Sequence, residues 1–246
     1  MKILILAAGY GTRLYAISKD TPKPLLPIVQ KPLIDHLLER IRHFDQLKEL
    51  IVVTNNKFEK NFQEWAEGKK DFPAPVSVVN DGTNTPEERL GSVGDIAFVL
   101  KNYKVDDDLL VMGGDNLFDY SLDDYLVFAR KNTPHVSIGL YDIGNIEEAT
   151  KFGVVQIDKE GKVVSFEEKP EKPKSSLVAM CFYYFPKQSL KLVEQYLKKM
   201  GKADKAGDYI KWLTEESTVY GFKFKGKWYD IGSVESYYEA QEKFKR

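Results

Sequence analysis

The chain has little of several features that mark whole classes of protein. It contains a single cysteine, Cys181, in 246 residues, which excludes a disulfide framework within the chain. Its three histidines, His36, His43 and His135, show no spacing typical of a metal site or a catalytic triad. The 36 basic and 37 acidic side chains leave a formal net charge of −1. This balance gives no indication of nucleic acid or a charged membrane surface as a partner.

The chain also lacks the sequence signals of membrane proteins and of the two best-known phosphate-binding loops. No apolar run approaches the length of a membrane span, and the first residues resemble a strand rather than a signal peptide. We therefore expect a soluble, cytoplasmic protein. The P-loop pattern is absent, and the dinucleotide fingerprint fails at its third glycine, where Leu14 stands after Arg13.

A glycine-rich turn near the start of the chain is the strongest functional signal. Residues 2–7 form a short apolar run that predicts a buried parallel strand, and Ala8-Gly9-Tyr10-Gly11 follows it directly. Glycine allows backbone N–H groups to approach a ligand closely, as a phosphate site requires. Arg13 and Lys23 add fixed positive charge beside those groups. The sequence therefore predicts a polyphosphate site at this turn.

Strand and helix patterns alternate through most of the chain, which predicts an α/β fold. We expect a three-layer α/β/α, Rossmann-like, mostly parallel sheet with a small antiparallel extension on the substrate side. Ligands bind at the carboxyl ends of the strands in such sheets, where the glycine turn falls. A hairpin over 152–166 marks the departure from parallel topology. Further helices are predicted over 121–131, with Ser121 at the start, and over 187–199.

Five motifs, in order along the chain, resemble the sugar-1-phosphate nucleotidyltransferases, a family that includes the glucose-1-phosphate thymidylyltransferases. The first is the run LAAGYGTRL over 6–14, followed by PKPLLP over 22–27. The others are a Leu-Gly-Ser segment over 90–92, Gly-Asp-Asn over 114–116, Phe-Gly-Val followed by Glu-Lys-Pro over 152–170, and Trp-Tyr-Asp-Ile-Gly over 228–232.

The resemblance implies a reaction and a role for each matching residue. An NTP and a sugar 1-phosphate would give an NDP-sugar and pyrophosphate, with Mg²⁺ as cofactor. The implied catalytic residues are Arg13, Lys23 and Asp115, and the implied metal ligands are Asp115 and Asp230. The implied nucleotide-binding residues are Leu6, Ala7, Ala8, Gly9, Gly11, Thr12, Arg13, Lys23, Asn80, Leu90, Gly91 and Ser92. The implied sugar-phosphate-binding residues are Asn116, Gly153, Glu168, Lys169 and Cys181.

Two departures from the family pattern bear on the substrates. The thymidylyltransferases carry a glutamine just before the Leu-Gly segment that reads the pyrimidine edge, and this chain has none there, while its loop over 80–86 is longer. Cys181 stands where the family often has a glycine close to the sugar. We expect dTTP or UTP, and glucose 1-phosphate, to be favoured, while the base and the sugar stay open. Cys181 itself is expected to be a buried, small apolar residue.

The expected organisation is one catalytic domain over 1–246. Residues 1–135 would bind mainly the nucleotide and residues 136–246 mainly the sugar phosphate, and homo-oligomers are possible. Three other functions stay open: a cytidylyltransferase for a small phosphate such as phosphocholine, a mannose-1-phosphate guanylyltransferase, and a non-catalytic regulatory protein on the same fold. Gly153 with Glu168 and Lys169 favours a sugar over a smaller phosphate.

Overall fold

The computed structural model describes residues 1–18, 20–201 and 206–244. Its strands are β1 (Lys2–Leu6), β2 (Pro27–Ile28), β3 (Lys31–Pro32), β4 (Glu49–Thr54), β5 (Val76–Asn80), β6 (Leu109–Gly113), β7 (Asn116–Phe118), β8 (Val136–Asp142), β9 (Gly153–Ile157), β10 (Val163–Glu168), β11 (Leu177–Phe185), β12 (Val219–Lys223) and β13 (Trp228–Asp230). Its α-helices are α1 (Tyr15–Ser18), α2 (Leu33–Ile41), α3 (Glu59–Glu67), α4 (Gly91–Asn102), α5 (Asp123–Lys131), α6 (Lys191–Met200), α7 (Ala206–Glu216) and α8 (Val234–Lys243). Within the described ranges no helix combines the length and apolar character that a membrane span requires.

The chain divides into two compact units, each made of separate segments. Unit 1 comprises Met1–Leu90, Met112–Ser121 and Gly226–Arg246, and unit 2 comprises Gly91–Val111 and Leu122–Lys225. The expected single catalytic domain over 1–246, with its halves 1–135 and 136–246, stays a prediction. Those ranges also take in residues 19, 202–205 and 245–246, which lie outside the described residues.

Unit 1 is built on parallel strands, of which β1 and β4 are largely buried and β5 is half-buried. β1 pairs with β4, and β4 pairs with β5, each in parallel register, and the end of β6 lies beside β1. Helix α2 presents to this unit the apolar face that the sequence predicts. A second cluster of buried side chains lies under the segments that follow β1: Leu14, Leu26, Ile28, Leu33, Leu117, Ile231, Ala240 and Phe244. This packing fixes the chain on both sides of the glycine turn.

Unit 2 combines antiparallel strands with an aromatic core. β11 pairs antiparallel with β8 and β9, β9 pairs antiparallel with β10, and β12 pairs parallel with β8. Tyr125, Phe182 and Phe224 pack ring against ring on one side, and Tyr196, Tyr209 and Trp212 form a second group. The hairpin predicted over 152–166 is confirmed as β9 and β10.

The predicted α/β fold is confirmed: the sheet is mixed, with mostly parallel strands, helices flank it, and there are small antiparallel pairs. Two helix boundaries are wrong. Helix α5 begins at Asp123 and not at Ser121, because two aspartates occupy its first turn and favour the helix dipole. The helix expected over 187–199 starts as a separate 3₁₀ turn, Lys187–Ser189, before α6. The backbone N–H of Lys187 there donates to Asp108 Oδ1 at 2.9 Å.

Candidate active site

The glycine turn follows the carboxyl end of β1, and its backbone has a defined path. Ala7 still donates its N–H to the Val53 carbonyl at 2.9 Å, which continues the pairing with β4. Gly11 then adopts a left-handed conformation, with φ of 64°, and a 3₁₀ turn follows over Thr12–Leu14. Apart from its two chain neighbours, no described residue has an atom within 4 Å of a Cβ placed at Gly9. The space in front of its backbone is therefore open to a ligand.

Lys23 and Asp115 form an ion pair within unit 1, with Nζ and Oδ2 separated by 3.2 Å. Gly114 makes this approach possible. A Cβ at that position would lie 2.8 Å from Pro24 Cγ and 2.9 Å from the Leu6 carbonyl oxygen, closer than such atoms can approach. The turn before Asp115 therefore packs directly on the end of β1 and on the residue after Lys23. The side chain of Asp115 remains 36% exposed, so it is accessible to a ligand.

Asp115 and Asp230 lie next to each other although 115 positions separate them in the chain. β7 and β13 form an antiparallel pair in which Asp230 lies opposite Asn116, and the N–H of Ile231 donates to the Asp115 carbonyl at 2.9 Å. Among the described strands β13 pairs only with β7, so Asp230 ends a strand that lies outside the parallel sheet. The proximity of the two aspartates comes from this two-stranded ribbon.

Asn116 is a neighbour of Asp115 with no free amide group. It is 2% exposed, and its Oδ1 accepts from Trp228 Nε1 at 2.7 Å. Its Nδ2 donates to the Gly113 carbonyl at 3.2 Å and to Asp115 Oδ1 at 3.3 Å. With Lys23 at Oδ2, both carboxylate oxygens of Asp115 are held in place. The sugar-phosphate contact predicted for Asn116 stays a prediction, and its observed contacts orient Asp115.

The two carboxylates fit the requirements of a magnesium ion. Mg²⁺ prefers oxygen ligands and is commonly held by one or two carboxylates together with substrate phosphates and water. Among the described residues there is no cluster of three or more His, Cys, Asp or Glu side chains that could hold a metal by itself. Two neighbouring aspartates, Asp115 and Asp230, supply carboxylate oxygens of the kind that Mg²⁺ accepts beside substrate phosphates.

The loop after β5 is held by its own polar side chains. Asn80 donates from Nδ2 to Asn56 Oδ1 at 2.5 Å and to Glu59 Oε2 at 2.8 Å, and its Oδ1 accepts from the Gly82 N–H at 2.8 Å. These three bonds occupy most of the hydrogen-bonding capacity of its amide. Asn80 therefore shapes the loop, and its predicted contact with the nucleotide stays a prediction. Leu90, which ends this segment of unit 1, is half-buried.

The remaining predicted residues lie in unit 2. Gly91 and Ser92 open helix α4, as the position of this segment after a strand and loop suggested. Glu168 ends β10 and lies against two glycines: a Cβ at Gly207 would be 1.9 Å from Glu168 Oε2, and one at Gly153 would be 3.3 Å from it. Only glycine leaves room for the carboxylate at Gly207. The side chain of Glu168 is thus seated between β9 and the first turn of α7.

Lys169 and Cys181 lie at irregular points of the backbone in unit 2. Lys169 is exposed and adopts a positive φ of 46°, a strained conformation for a residue with a side chain. Cys181 lies in β11 where its register with β8 shifts between Ala179 and Tyr183. The expectation that Cys181 is buried is wrong, since the bulged strand leaves it half-buried. Burial is the main cause that raises the pKa of the Tyr183 phenol, and the nearby Cys181 raises that pKa further.

Sequence analysis assigned no role to four residues that organise these sites: Tyr10, Asn55, Trp228 and Gly207. Asn55 is fully buried, and its Nδ2 donates to the Ala8 carbonyl at 2.8 Å. An asparagine pair at the carboxyl end of a predicted parallel strand was the available signal for Asn55. No local sequence pattern indicates a role for Gly207, because its role depends on the side chain of Glu168, which is distant in the sequence.

Comparison with known proteins identifies the family. A model of the family named nucleotidyl transferase matches residues 2–246. The chain is 30% identical over 243 residues to the bifunctional protein GlmU of Methanocaldococcus jannaschii, covering 98% of this chain and 54% of that protein. The GlmU protein of Methanococcus maripaludis is 30% identical over 246 residues, covering 99% of this chain and 54% of that protein. The chain thus spans about half the length of the curated relatives it matches.

Solved structures share the fold. One is a protein of Bacillus anthracis provisionally named glucose-1-phosphate thymidylyltransferase, in complex with a sucrose, with a TM-score of 0.83 and 24% identity. The matched region covers 98% of this chain and 94% of the Bacillus anthracis chain. Another is a UDP-glucose pyrophosphorylase complexed with UDP-glucose, with a TM-score of 0.81, 23% identity and coverage of 99% and 97%. With the family match over nearly its whole length, the chain belongs to the nucleotidyl transferase family.

Proposed function

We propose that this chain transfers a nucleotidyl group from an NTP to a sugar 1-phosphate, giving an NDP-sugar and pyrophosphate. The observation that carries the proposal is the contact of Lys23 with Asp115, beside Asp230, at the end of β1 where the glycine turn begins. Backbone N–H groups, a lysine and two carboxylates are together the groups that seat a triphosphate and its metal. Membership of the nucleotidyl transferase family supports the same class of reaction.

The proposed step is an in-line displacement at the α-phosphorus. A phosphate oxygen of the sugar 1-phosphate forms the new bond, and the bond from the α-phosphorus to the oxygen that bridges to the β-phosphorus breaks. That oxygen keeps the electron pair and leaves as part of pyrophosphate. Lys23 holds the α-phosphate, and exposed Arg13 neutralises the β- and γ-phosphates. The protein therefore contributes mainly position and charge, which are the largest contributions in such reactions.

In this proposal Asp115 and Asp230 hold Mg²⁺. When bound, the metal would offset the negative charge that develops on the phosphate oxygens in the transition state. Asp115 is prepared for the role, because Asn116 and Lys23 each hold one of its carboxylate oxygens. Lys23 also offsets the repulsion between the two carboxylates until the metal arrives.

Glu168 and Lys169 of unit 2 are the proposed ligands of the sugar 1-phosphate. A glutamate accepts hydrogen bonds from two sugar hydroxyls, and a lysine supplies a point charge for the phosphate. The seat of Glu168 between Gly153 and Gly207 supports a fixed position for its carboxylate. The names of the structural relatives, which mention glucose 1-phosphate and UDP-glucose, support glucose 1-phosphate with dTTP or UTP as the favoured pair. The cytoplasmic location stays a prediction.

The test is a matrix of five NTPs against glucose, N-acetylglucosamine and mannose 1-phosphates and phosphocholine, with Mg²⁺, scored by pyrophosphate release. We expect a pyrimidine NTP with a hexose 1-phosphate to give the highest kcat/KM. Asp115→Asn serves as the control for contaminating activity. A preference for phosphocholine, or for GTP with mannose 1-phosphate, would replace the substrates proposed. No release above the Asp115→Asn background with any pair would refute the catalytic role.

A further inference from the structure

The side chain of Tyr10 stands between the two glycines of the turn and connects that turn to another loop. The glycine motif accepts any residue at this position, and in this chain the residue is a tyrosine that is only 9% exposed. Its hydroxyl group donates a hydrogen bond of 3.0 Å to Thr83 Oγ1, 73 positions along the chain. Burial raises the pKa of Tyr10, and its phenol is a hydrogen-bond donor at neutral pH. Tyr10 therefore points back into unit 1 and not out towards a ligand.

Thr83 belongs to a compact turn that is itself organised by a buried carboxylate. The N–H and the Oγ1 of Thr83 both donate to Asp81 Oδ1, each at 2.8 Å. Asp81 is 6% exposed and Thr83 is 5% exposed. The other carboxylate oxygen of Asp81 is buried and has no hydrogen-bond partner among the residues that the structure describes. A buried polar atom without a partner costs stability, so its presence in a native structure calls for a reason.

The end of β4 joins the same two segments through a second set of bonds. Asn55 donates from Nδ2 to the Ala8 carbonyl at 2.8 Å, just before Tyr10. The N–H of Asn56 donates to the Thr83 carbonyl at 3.0 Å, and the N–H of Asp81 donates to the Thr54 carbonyl at 2.8 Å. The turn over 8–11 and the turn over 81–83 are therefore both fixed to residues 54–56, and Tyr10 closes the link between them.

A turn with two glycines needs such anchors. Glycine has more conformations available than any other residue, so an unanchored turn would lose that freedom each time it bound a phosphate. The loop over 80–86 contains the Asp81–Thr83 turn, and it is the segment expected to read the base because it precedes the Leu-Gly-Ser segment over 90–92. One network thus touches the predicted seat of the phosphates and the predicted reader of the base.

We infer that Tyr10 is a positioning residue: through Thr83 and Asp81 it holds the glycine turn in its nucleotide-binding shape and couples that turn to the base-reading loop. This inference rests on the proposed nucleotide site. It requires that losing the phenol hydroxyl group, without the ring, weakens nucleotide binding and leaves the chemical step nearly intact.

The experiment compares wild type with Tyr10→Phe, Thr83→Val and Thr83→Ser. Tyr10→Phe removes the bond to Thr83 alone, and we expect about a 3- to 10-fold rise in KM for the NTP with kcat changed less than about 2-fold, as for one buried hydrogen bond. Thr83→Val removes that bond together with the bond from Thr83 Oγ1 to Asp81, so its KM should rise at least as much. Thr83→Ser keeps the hydroxyl group and should restore KM. Hydrogen exchange of residues 7–14 in the free protein should be faster in the first two variants. The double mutant Tyr10→Phe/Thr83→Val should be no worse than Thr83→Val alone.

The control is Tyr125→Phe, which removes the phenol hydrogen bond of a fully buried tyrosine, to the Ser137 carbonyl at 2.8 Å, within unit 2. It should lower Tm without changing KM or exchange in residues 7–14. Unchanged exchange and KM in Tyr10→Phe, or a Thr83→Ser variant that behaves as Thr83→Val, would overturn the inference. If wild type has no transferase activity, the proposed function fails, while the exchange measurement still decides whether Tyr10 holds the turn.

Discussion

At the scale of single residues, the candidate sites depend on groups whose neighbours leave them little freedom. Asp115 has one oxygen held by Lys23 and the other by Asn116, and Glu168 rests against Gly207 with no room for a Cβ between them. A catalytic or binding group that is already oriented loses little entropy when the substrate arrives. Two predictions separate this orientation from ordinary structural packing.

The first prediction concerns the two cations of the glycine turn segment. Replacing Arg13 or Lys23 with alanine should lower kcat by about 100-fold, since loss of one charge donor in such a site typically costs that much. Tm should change by only a few degrees at most, because an exposed arginine and a partly exposed ion pair contribute little stability. Steady-state kinetics and thermal melts measure both, with Lys60→Ala, an exposed lysine of unit 1, as the control. Normal turnover in either variant would contradict its proposed role.

The second prediction concerns Gly207. A methyl group at Gly207 would overlap Glu168 Oε2, so Gly207→Ala should turn the carboxylate away. KM for the sugar 1-phosphate should rise by about 10-fold, as for loss of one charged hydrogen bond, while KM for the NTP is unchanged. The double mutant with Glu168→Ala should be no worse than Glu168→Ala alone, because the overlap is then absent. Additive effects of the two changes would show that Gly207 acts through something other than Glu168.

At the scale of secondary-structure elements, short antiparallel pieces position the site, and these are what sequence patterns reveal least. Sequence patterns readily reveal long apolar strands and periodic helix faces, because burial dictates their composition. Examples are the strands β4, β6 and β11 and the helix α2. The two- and three-residue strands β2, β3, β7 and β13 are too short to show any period. The motifs therefore identified Asp115 and Asp230 by resemblance, whereas the ribbon that places them side by side had no signal of its own.

The third prediction follows from the β7–β13 ribbon. Asp115→Asn and Asp230→Asn should each raise the Mg²⁺ concentration needed for half-maximal activity and lower turnover by at least about 100-fold. Since the two side chains are proposed to share one ion, the double mutant should lose little more than either single mutant. A chelator should abolish wild-type activity. Wild-type turnover of Asp230→Asn at limiting Mg²⁺ would show that the second ligand lies elsewhere.

The fourth prediction concerns the end of β8. Lys223, Ser176 and the Gly144 N–H all donate to the Asp142 carboxylate, and these bonds lower its pKa from 3.8 to about 2. A lowered folded-state pKa stabilises the fold above about pH 4, and this contribution is lost as the pH falls towards 2. Because the carboxylate is partly exposed, its bonds contribute under about 1 kcal/mol to the free energy of unfolding.

Chemical denaturation of Asp142→Asn and wild type at several pH values checks this. The variant should be less stable at pH 7, and the difference should shrink between pH 4 and pH 2. Asp45→Asn, which changes an exposed carboxylate of unit 1, is the control for removing one negative charge. A difference that stays constant down to pH 2 would contradict the assigned cause.

At the scale of the whole molecule, the sequence predicted the class of fold and most of the strands, because the alternation of apolar runs and periodic helices is a long-range property of the chain. It did not predict how the chain is partitioned. Unit 1 gathers three separate segments, and unit 2 gathers two. Contacts such as Tyr10 with Thr83, or Glu168 with Gly207, join positions whose residue types are unremarkable when each is taken alone. Only the folded chain gives a reason for them.

The partition of unit 1 has a consequence for the order in which the protein can mature during synthesis. Lys23 and Asp115 leave the ribosome well before Asp230, and helix α8, whose Gln241 donates to the Pro27 carbonyl at 2.6 Å, comes later still. Until residues 226–244 emerge, β7 has no partner strand, and the buried cluster around Leu117 lacks Ile231, Ala240 and Phe244. A nascent chain would therefore carry its glycine turn without a completed carboxylate pair until residues 226–244 had emerged and folded back onto unit 1.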